Sequence, residues 1–234
     1  MTAIFKREFK SFFTTPLGYV ILIIFNVFSG VYFWFGTLYS DTVDMSYVFS
    51  GFTLVVLSAI PILTMRLLSE ERRQKTDQAL LTAPVSLSGI VLSKFFAAYL
   101  LYVIGISATL LYSVVLAFIA QPSWNYIFGN YFGLLLLGAA LIAVGLLISS
   151  LTENQLVAAI VSYAVMFLLL MMDSVAKLLP VKFLSSLLYA LSFQNRYDKF
   201  VSGMVSLSNI MFFLSATVIC LFLTVRVMEK RRWS

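Results

Sequence analysis

The chain has 234 residues, 61% hydrophobic and 11% charged, with a mean hydropathy of +0.98. A soluble domain carries about 25% charged residues and a transmembrane barrel shows short alternating segments, so the composition excludes both and points to an all-α polytopic membrane protein. The net charge is +6, and the bases sit at the ends of apolar runs, which suits membrane orientation and not nucleic acid.

Residues 1–15 come first and read as an amphipathic interfacial helix. Phe5, Phe9, Phe12 and Phe13 fall at i, i+4, i+7 and i+8, one helical face. Lys6, Arg7, Lys10 and Ser11 fill the other. Such a helix is expected to rest in the bilayer interface, rings in the acyl boundary and amines toward phosphates. The apolar run that follows is too long for a signal-peptide core and lacks an Ala-x-Ala site, so it is expected to stay as the first span.

Residues 16–38 form span one, long enough at 1.5 Å per residue to cross a core of about 30 Å. Asn26 is its main interior polar group and is expected to face protein or a cavity. Tyr32, Trp34 and Tyr39 read as an interfacial aromatic belt. Residues 47–68 form span two, where Pro61 is expected to kink the helix or end its regular part. Residues 69–84, SEERRQKTDQALLTAP, hold Glu70, Glu71, Arg72, Arg73, Lys75 and Asp77. Charges at this density have no place in a bilayer core. The segment is expected to be a helix in water at the membrane face, stopped by Pro84.

Ser86 or Ser88 can cap the next helix, which begins half-polar with Lys94 and makes span three over 88–120. Residues 121–130, with Pro122, Trp124 and Gly129, read as a turn. Span four covers 131–150 and carries a stripe of small residues, Gly138, Gly145 and Ser149, which lets another helix approach closely. A tight turn at 152–154 leads to span five, 155–172. Residues 173–206 mix Asp173, Lys177, Lys182, Arg196, Asp198 and Lys199 with an apolar run, 183–193, too short to cross alone. One or two short helices are expected to dip into the far interface and return. Span six, 207–226, precedes a tail with Lys230, Arg231 and Arg232.

Six spans put both termini on one side. That side then holds Lys6, Arg7, Lys10, Arg66, Arg72, Arg73, Lys75, Lys94, Arg226, Lys230, Arg231 and Arg232, which is 12 of the 16 bases. The other side holds Lys177, Lys182, Arg196 and Lys199. The positive-inside rule makes the termini cytoplasmic. A seventh crossing over 178–193 would place the C-terminal Arg cluster outside, against that rule, so the charge count favours a re-entrant segment.

The chain has no histidine and one cysteine, Cys220, so the usual general base is missing and no internal disulfide can form. It has no phosphate-cradling G-x-x-x-x-G-K-[ST] loop, no H-E-x-x-H and no G-x-S-x-G. Glu153 and Asp173 lie at opposite ends of span five and cannot act as a pair. No residue set supports an enzyme.

The run Glu70–Val85, E-E-R-R-x-x-T-x-x-x-L-L-T-A-P-V, resembles the signature after the second span of type-2 ABC transporter permeases. The matching positions are Glu70, Glu71, Arg72, Arg73, Thr76, Leu80, Leu81, Thr82, Ala83, Pro84 and Val85. Lys75 stands where many members have Gly, and Gln78 where many have Glu. The opening F-K-R-E-F-K-S-F-F-x-x-P-L resembles the family's N-terminal connecting helix. Phe200, Gly203, Leu214, Ser215, Phe222, Leu223, Thr224, Glu229, Arg231, Arg232 and Trp233 resemble the tail of gliding-motility-type permeases.

The resemblance implies a permease subunit in a bacterial plasma (inner) membrane, with 69–84 as the cytoplasmic coupling helix. A separate ABC ATPase would hold ATP and Mg, and this chain would bind no cofactor. A second permease chain, identical or related, would complete the pathway. Glu70, Glu71, Arg72, Arg73, Thr76, Leu80, Leu81 and Pro84, with Arg7 and Phe9, would meet the ATPase. Leu184, Leu188, Phe193 and Asn195 would mark the re-entrant segment. The competing readings are a self-sufficient carrier or channel, and a non-transporting scaffold of a surface or motility complex. Carriers usually show internal repeats and midplane charges, and neither is evident.

Overall fold

The computed structural model describes residues 2–40, 42, 45–75, 86–119, 123–178 and 180–232. Among them every regular element is helical. In order these are α1 (Thr2–Thr14), α2 (Pro16–Phe33) with a π-helical extension over Trp34–Leu38, α3 (Ser46–Thr64), α4 (Ser69–Arg73), α5 (Leu87–Ile106), α6 (Ala108–Ile119), α7 (Trp124–Leu151), α8 (Gln155–Leu178), α9 (Lys182–Leu191), α10 (Phe193–Val201) and α11 (Leu207–Arg232). Among the described residues six segments are long and apolar enough to cross a membrane: Pro16–Leu38, Ser46–Arg73, Leu87–Phe118, Trp124–Leu151, Gln155–Leu178 and Leu207–Arg232.

α7 is the central post. About 78% of its apolar window is buried, against 17% for α11 and 22% for α8. α3, α5, α8, α10 and α11 all pack on it. Lipid is as apolar as leucine, so what holds this bundle is close packing and internal hydrogen bonds. The small-residue stripe supplies the packing. A Cβ on Gly138 would sit 2.2 Å from the Tyr102 ring, and one on Gly145 would sit 2.2 Å from Thr64 Oγ1. Tyr102 is fully buried; its hydroxyl donates to the Leu134 carbonyl at 2.7 Å, and its ring meets Phe25 edge-on at 5.6 Å.

Several boundaries differ from the sequence expectation. Residues 124–130, read as part of a turn, are the first two turns of α7. Ile127 is buried there, Asn130 donates to its own helix at Tyr126, and the Tyr126 hydroxyl pairs with Ser46. Tertiary contacts override the local turn signal of Trp124 and Gly129. Span three breaks at Ser107, whose hydroxyl turns back to the Ile104 carbonyl at 2.6 Å. α8 continues past 172 to Leu178, with Asp173 and Lys177 one turn apart and paired at 3.3 Å. α3 ends at Thr64, three residues after Pro61. Ser86 caps α5 by accepting from the Gly89 N–H.

Asn26 does not face a cavity. It lies on the exposed side of α2 and satisfies itself on the Leu22 carbonyl at 2.7 Å. The expected helix from Ser69 to Pro84 is described only as α4, five residues long. The chain then turns at Gln74 and Lys75, and Lys75 has φ +56°. That left-handed value favours glycine, the residue that the resemblance above leads one to expect at this position. Residues 76–85, including Thr76, Gln78, Leu80, Leu81 and Pro84, lie outside the described residues.

α1 packs on α5 and α2; Phe12 is buried, and Phe5, Phe9 and Phe13 are half-buried, with Phe5 stacked on Phe9 and Phe9 edge-on to Phe13. At the other end of the bundle, α9 packs on α8, and α10 packs on α7 and α8. Phe193, Tyr197 and Phe200 of α10 are buried, while α9 buries no residue. The Tyr197 hydroxyl donates to the Phe49 carbonyl near the start of α3 at 2.9 Å.

Candidate coupling site

The end of the bundle that gathers both termini is built around a buried ammonium. Lys94 sits two turns inside α5 and its side chain is 1% exposed. An unpaired charge so placed would cost several kcal/mol. Its Nζ lies 3.2 Å from Glu8 Oε2 on α1 and 2.9 Å from Glu71 Oε1 on α4. Arg7 Nη2 lies 2.8 Å from Glu8 Oε1 and 3.1 Å from Glu71 Oε1. The four side chains close a neutral ring in which each charge touches two of opposite sign. The Arg7 guanidinium is held above its ordinary value, first by its hydrogen bond to Glu8, with partial desolvation opposing. The ring ties α1, α4 and α5 together.

The break between α3 and α4 has its own anchor. Leu68 and Ser69 donate their N–H groups to Ser149 Oγ on α7, at 3.2 and 3.1 Å, and Ser149 donates to the Met65 carbonyl at 3.2 Å. One hydroxyl thus satisfies backbone groups that the helix end leaves orphaned. Arg66 grips Glu70 with two bonds, 2.6 and 2.9 Å. Arg72 donates to the Leu151 carbonyl at 3.1 Å and pairs with Glu153 at 2.8 Å. Arg231 of α11 donates to the Ser150 carbonyl on the same turn.

The residues singled out from the sequence therefore divide. Glu70, Glu71 and Arg72 are engaged inside this chain, and Glu71 turns inward to Lys94. Arg73 is exposed beside a shallow cleft formed with Glu153, Asn154 and Gln155. Arg7 remains half in solvent at 55% exposure. Phe9 is half-buried between Phe5 and Phe13. Thr76, Leu80, Leu81 and Pro84 are outside the described residues. At the opposite end, Leu184 is exposed, Leu188 half-buried, and Phe193 buried against Phe212 and Phe213. The Asn195 amide donates to the Tyr189 carbonyl at 3.3 Å. The two groups do not share a site.

Glu8, Lys94 and Ser149 are the members that sequence reasoning passed over as partners. The available signal was Lys94 itself, since a base two turns inside an apolar helix calls for a carboxylate. Among the described residues no group of His, Cys, Asp and Glu could hold a metal ion. What the arrangement can do is mechanical. α4 is bonded to α1, α5 and the α7–α8 turn, so a push on it moves these elements together, as in hinge and shear transitions.

A family model described as ABC-2 family transporter protein matches residues 6–172. The match takes in the ring, the Ser149 anchor and the charged segment. Comparison with curated proteins gave no match. With more than half of the sequence matched, the chain belongs to the ABC-2 family of transporter proteins, as a membrane permease component.

Proposed function

We propose that this chain is the permease subunit of an ATP-driven exporter in a bacterial inner membrane, with both termini cytoplasmic. A separate ABC ATPase holds ATP and Mg and docks on residues 69–84 and α1. A second permease chain, identical or related, completes the pathway. The tail's likeness to gliding-motility-type permeases lies beyond the matched residues and belongs to this reading.

The observation that carries the reading is the closed ring of Arg7, Glu8, Glu71 and Lys94. It joins the base of the charged segment to the N-terminal helix and the third span at one end of the bundle. A segment that only linked two spans would need no such tie. The same end collects the basic residues that mark a cytoplasmic face. ATPase closure would push on the segment, and the ring would pass the displacement into α1 and α5.

Leu80→Asp combined with Leu81→Asp tests the docking. The double variant should insert in the membrane at wild-type level but lose the ATPase on co-purification. Undiminished co-purification overturns the docking surface. A wild-type chain that recovers no ATPase favours a self-sufficient carrier or a non-transporting scaffold.

A further inference from the structure

α1 divides its charges in two. Arg7 and Glu8 turn into the ring, while Lys6 and Lys10 are exposed and have no carboxylate partner among the described residues. At 3.6 residues per turn, Lys6 and Lys10 lie one above the other. They flank the stripe of Thr2, Phe5 and Phe9 on its solvent side.

Beside that stripe is a cleft of about 480 Å³ between α1 and α5, lined by Thr2, Phe5, Phe96, Tyr99, Leu100 and Val103, with Ser93 at its floor. Its surface is almost wholly apolar. Phe96 is 51% exposed and Leu100 37% exposed. α5 opens a span, so an apolar cleft on its flank is expected to meet the acyl region of the leaflet, with the two amines toward its headgroups. Neither lysine lines the cleft, but Lys6 follows Phe5 directly and lies one turn from Thr2 and from Lys10 on α1. An apolar slot beside two cations one turn apart matches one chemistry: an acyl chain joined to an anionic phosphate.

We propose that the cleft binds one anionic phospholipid, with an acyl chain against Phe5, Phe96 and Leu100 and its phosphate between Lys6 and Lys10. The lipid seals the outer side of α1, whose inner side carries the ring, so leaflet composition acts on the coupling end. The site needs only α1 and α5, and its test involves no ATPase, so it can fail without touching the reading above.

The test is native mass spectrometry of the purified full-length chain, titrated with phosphatidylglycerol or with phosphatidylcholine of the same acyl chains. The wild type should retain one phosphatidylglycerol in preference to phosphatidylcholine. Lys6→Gln with Lys10→Gln should weaken phosphatidylglycerol about 30-fold, given roughly fivefold for each lysine at an anionic surface, and leave phosphatidylcholine unchanged. Leu100→Trp, which fills the cleft, should weaken phosphatidylglycerol with both lysines intact. Val103→Phe replaces it should that variant not fold. Equal retention of the two lipids, displacement by inorganic phosphate, or full retention by the cleft-filling variant overturns the site.

Discussion

Lys94 concentrates the energetics of the basic end of the bundle in one side chain. Two carboxylates, on α1 and α4, are held in place largely because this ammonium lies between them. Removing one partner of a buried ion pair costs about 3–5 kcal/mol, because the opposite charge is left uncompensated. Lys94→Met should therefore lower the melting temperature in detergent strongly. Adding Glu71→Gln to it should restore part of the loss, since Arg7 then balances one carboxylate instead of two. A double-mutant cycle reads the coupling directly. An unshifted melting curve for Lys94→Met would show that the ring carries no load. The sequence displayed Lys94 plainly but not its partners: Glu8 is 86 positions away and Glu71 is 23, and neither lies on the same helix.

α7 shows what was legible at the scale of an element and what was not. Its small residues at positions 138, 145 and 149 announced close approach, and the structure puts Tyr102, Thr64 and the α3–α4 break against them. Its true start was hidden, because Trp124–Asn130 has turn-like residues whose helix is fixed by contacts with distant elements. The charged segment was legible as charged, yet its helix is described for only five residues, ending at Arg73 and followed by a turn with a left-handed Lys75 that periodicity does not announce. The face of α1 was correctly amphipathic, but no pattern told whether its rings met lipid or α5. Gly145 and Gly129 give a sharp comparison on this one helix. Alanine gains about 1 kcal/mol of helix propensity at either position. At Gly145 its Cβ would collide with Thr64, whereas at Gly129 the nearest atom is a Val205 methyl 3.3 Å away. Gly145→Ala should destabilise by about 1–3 kcal/mol through overpacking, and Gly129→Ala should be neutral or stabilising. Thermal melts of the two variants side by side check the sign.

For the whole molecule, hydropathy told the number of long apolar helices among the described residues, because it depends on local composition; the charge count gives the direction expected of them. The geometry adds an independent constraint. Arg7 reaches Glu71, and Arg231 reaches the Ser150 carbonyl, so the first and last helices meet at the same end of the bundle. α10 packs at the other end, against the start of α3 through Tyr197 and against Gly133 near the start of α7 through Phe200. If the basic end is cytoplasmic, single cysteines will report it in a chain whose one native cysteine is first replaced by Cys220→Ser. Gln74→Cys, on the exposed turn after α4, should react with a membrane-impermeant thiol reagent only after the membrane is opened. Ser186→Cys, on the exposed α9, should react in intact cells; it is a better reporter than Ser185, whose hydroxyl is bonded to the Ala176 carbonyl at 2.8 Å. Labelling of both positions from one side would contradict the bundle itself, since α4 and α9 lie at opposite ends. The reversed pattern would leave the bundle intact but put the charged segment beyond reach of any cytoplasmic ATPase.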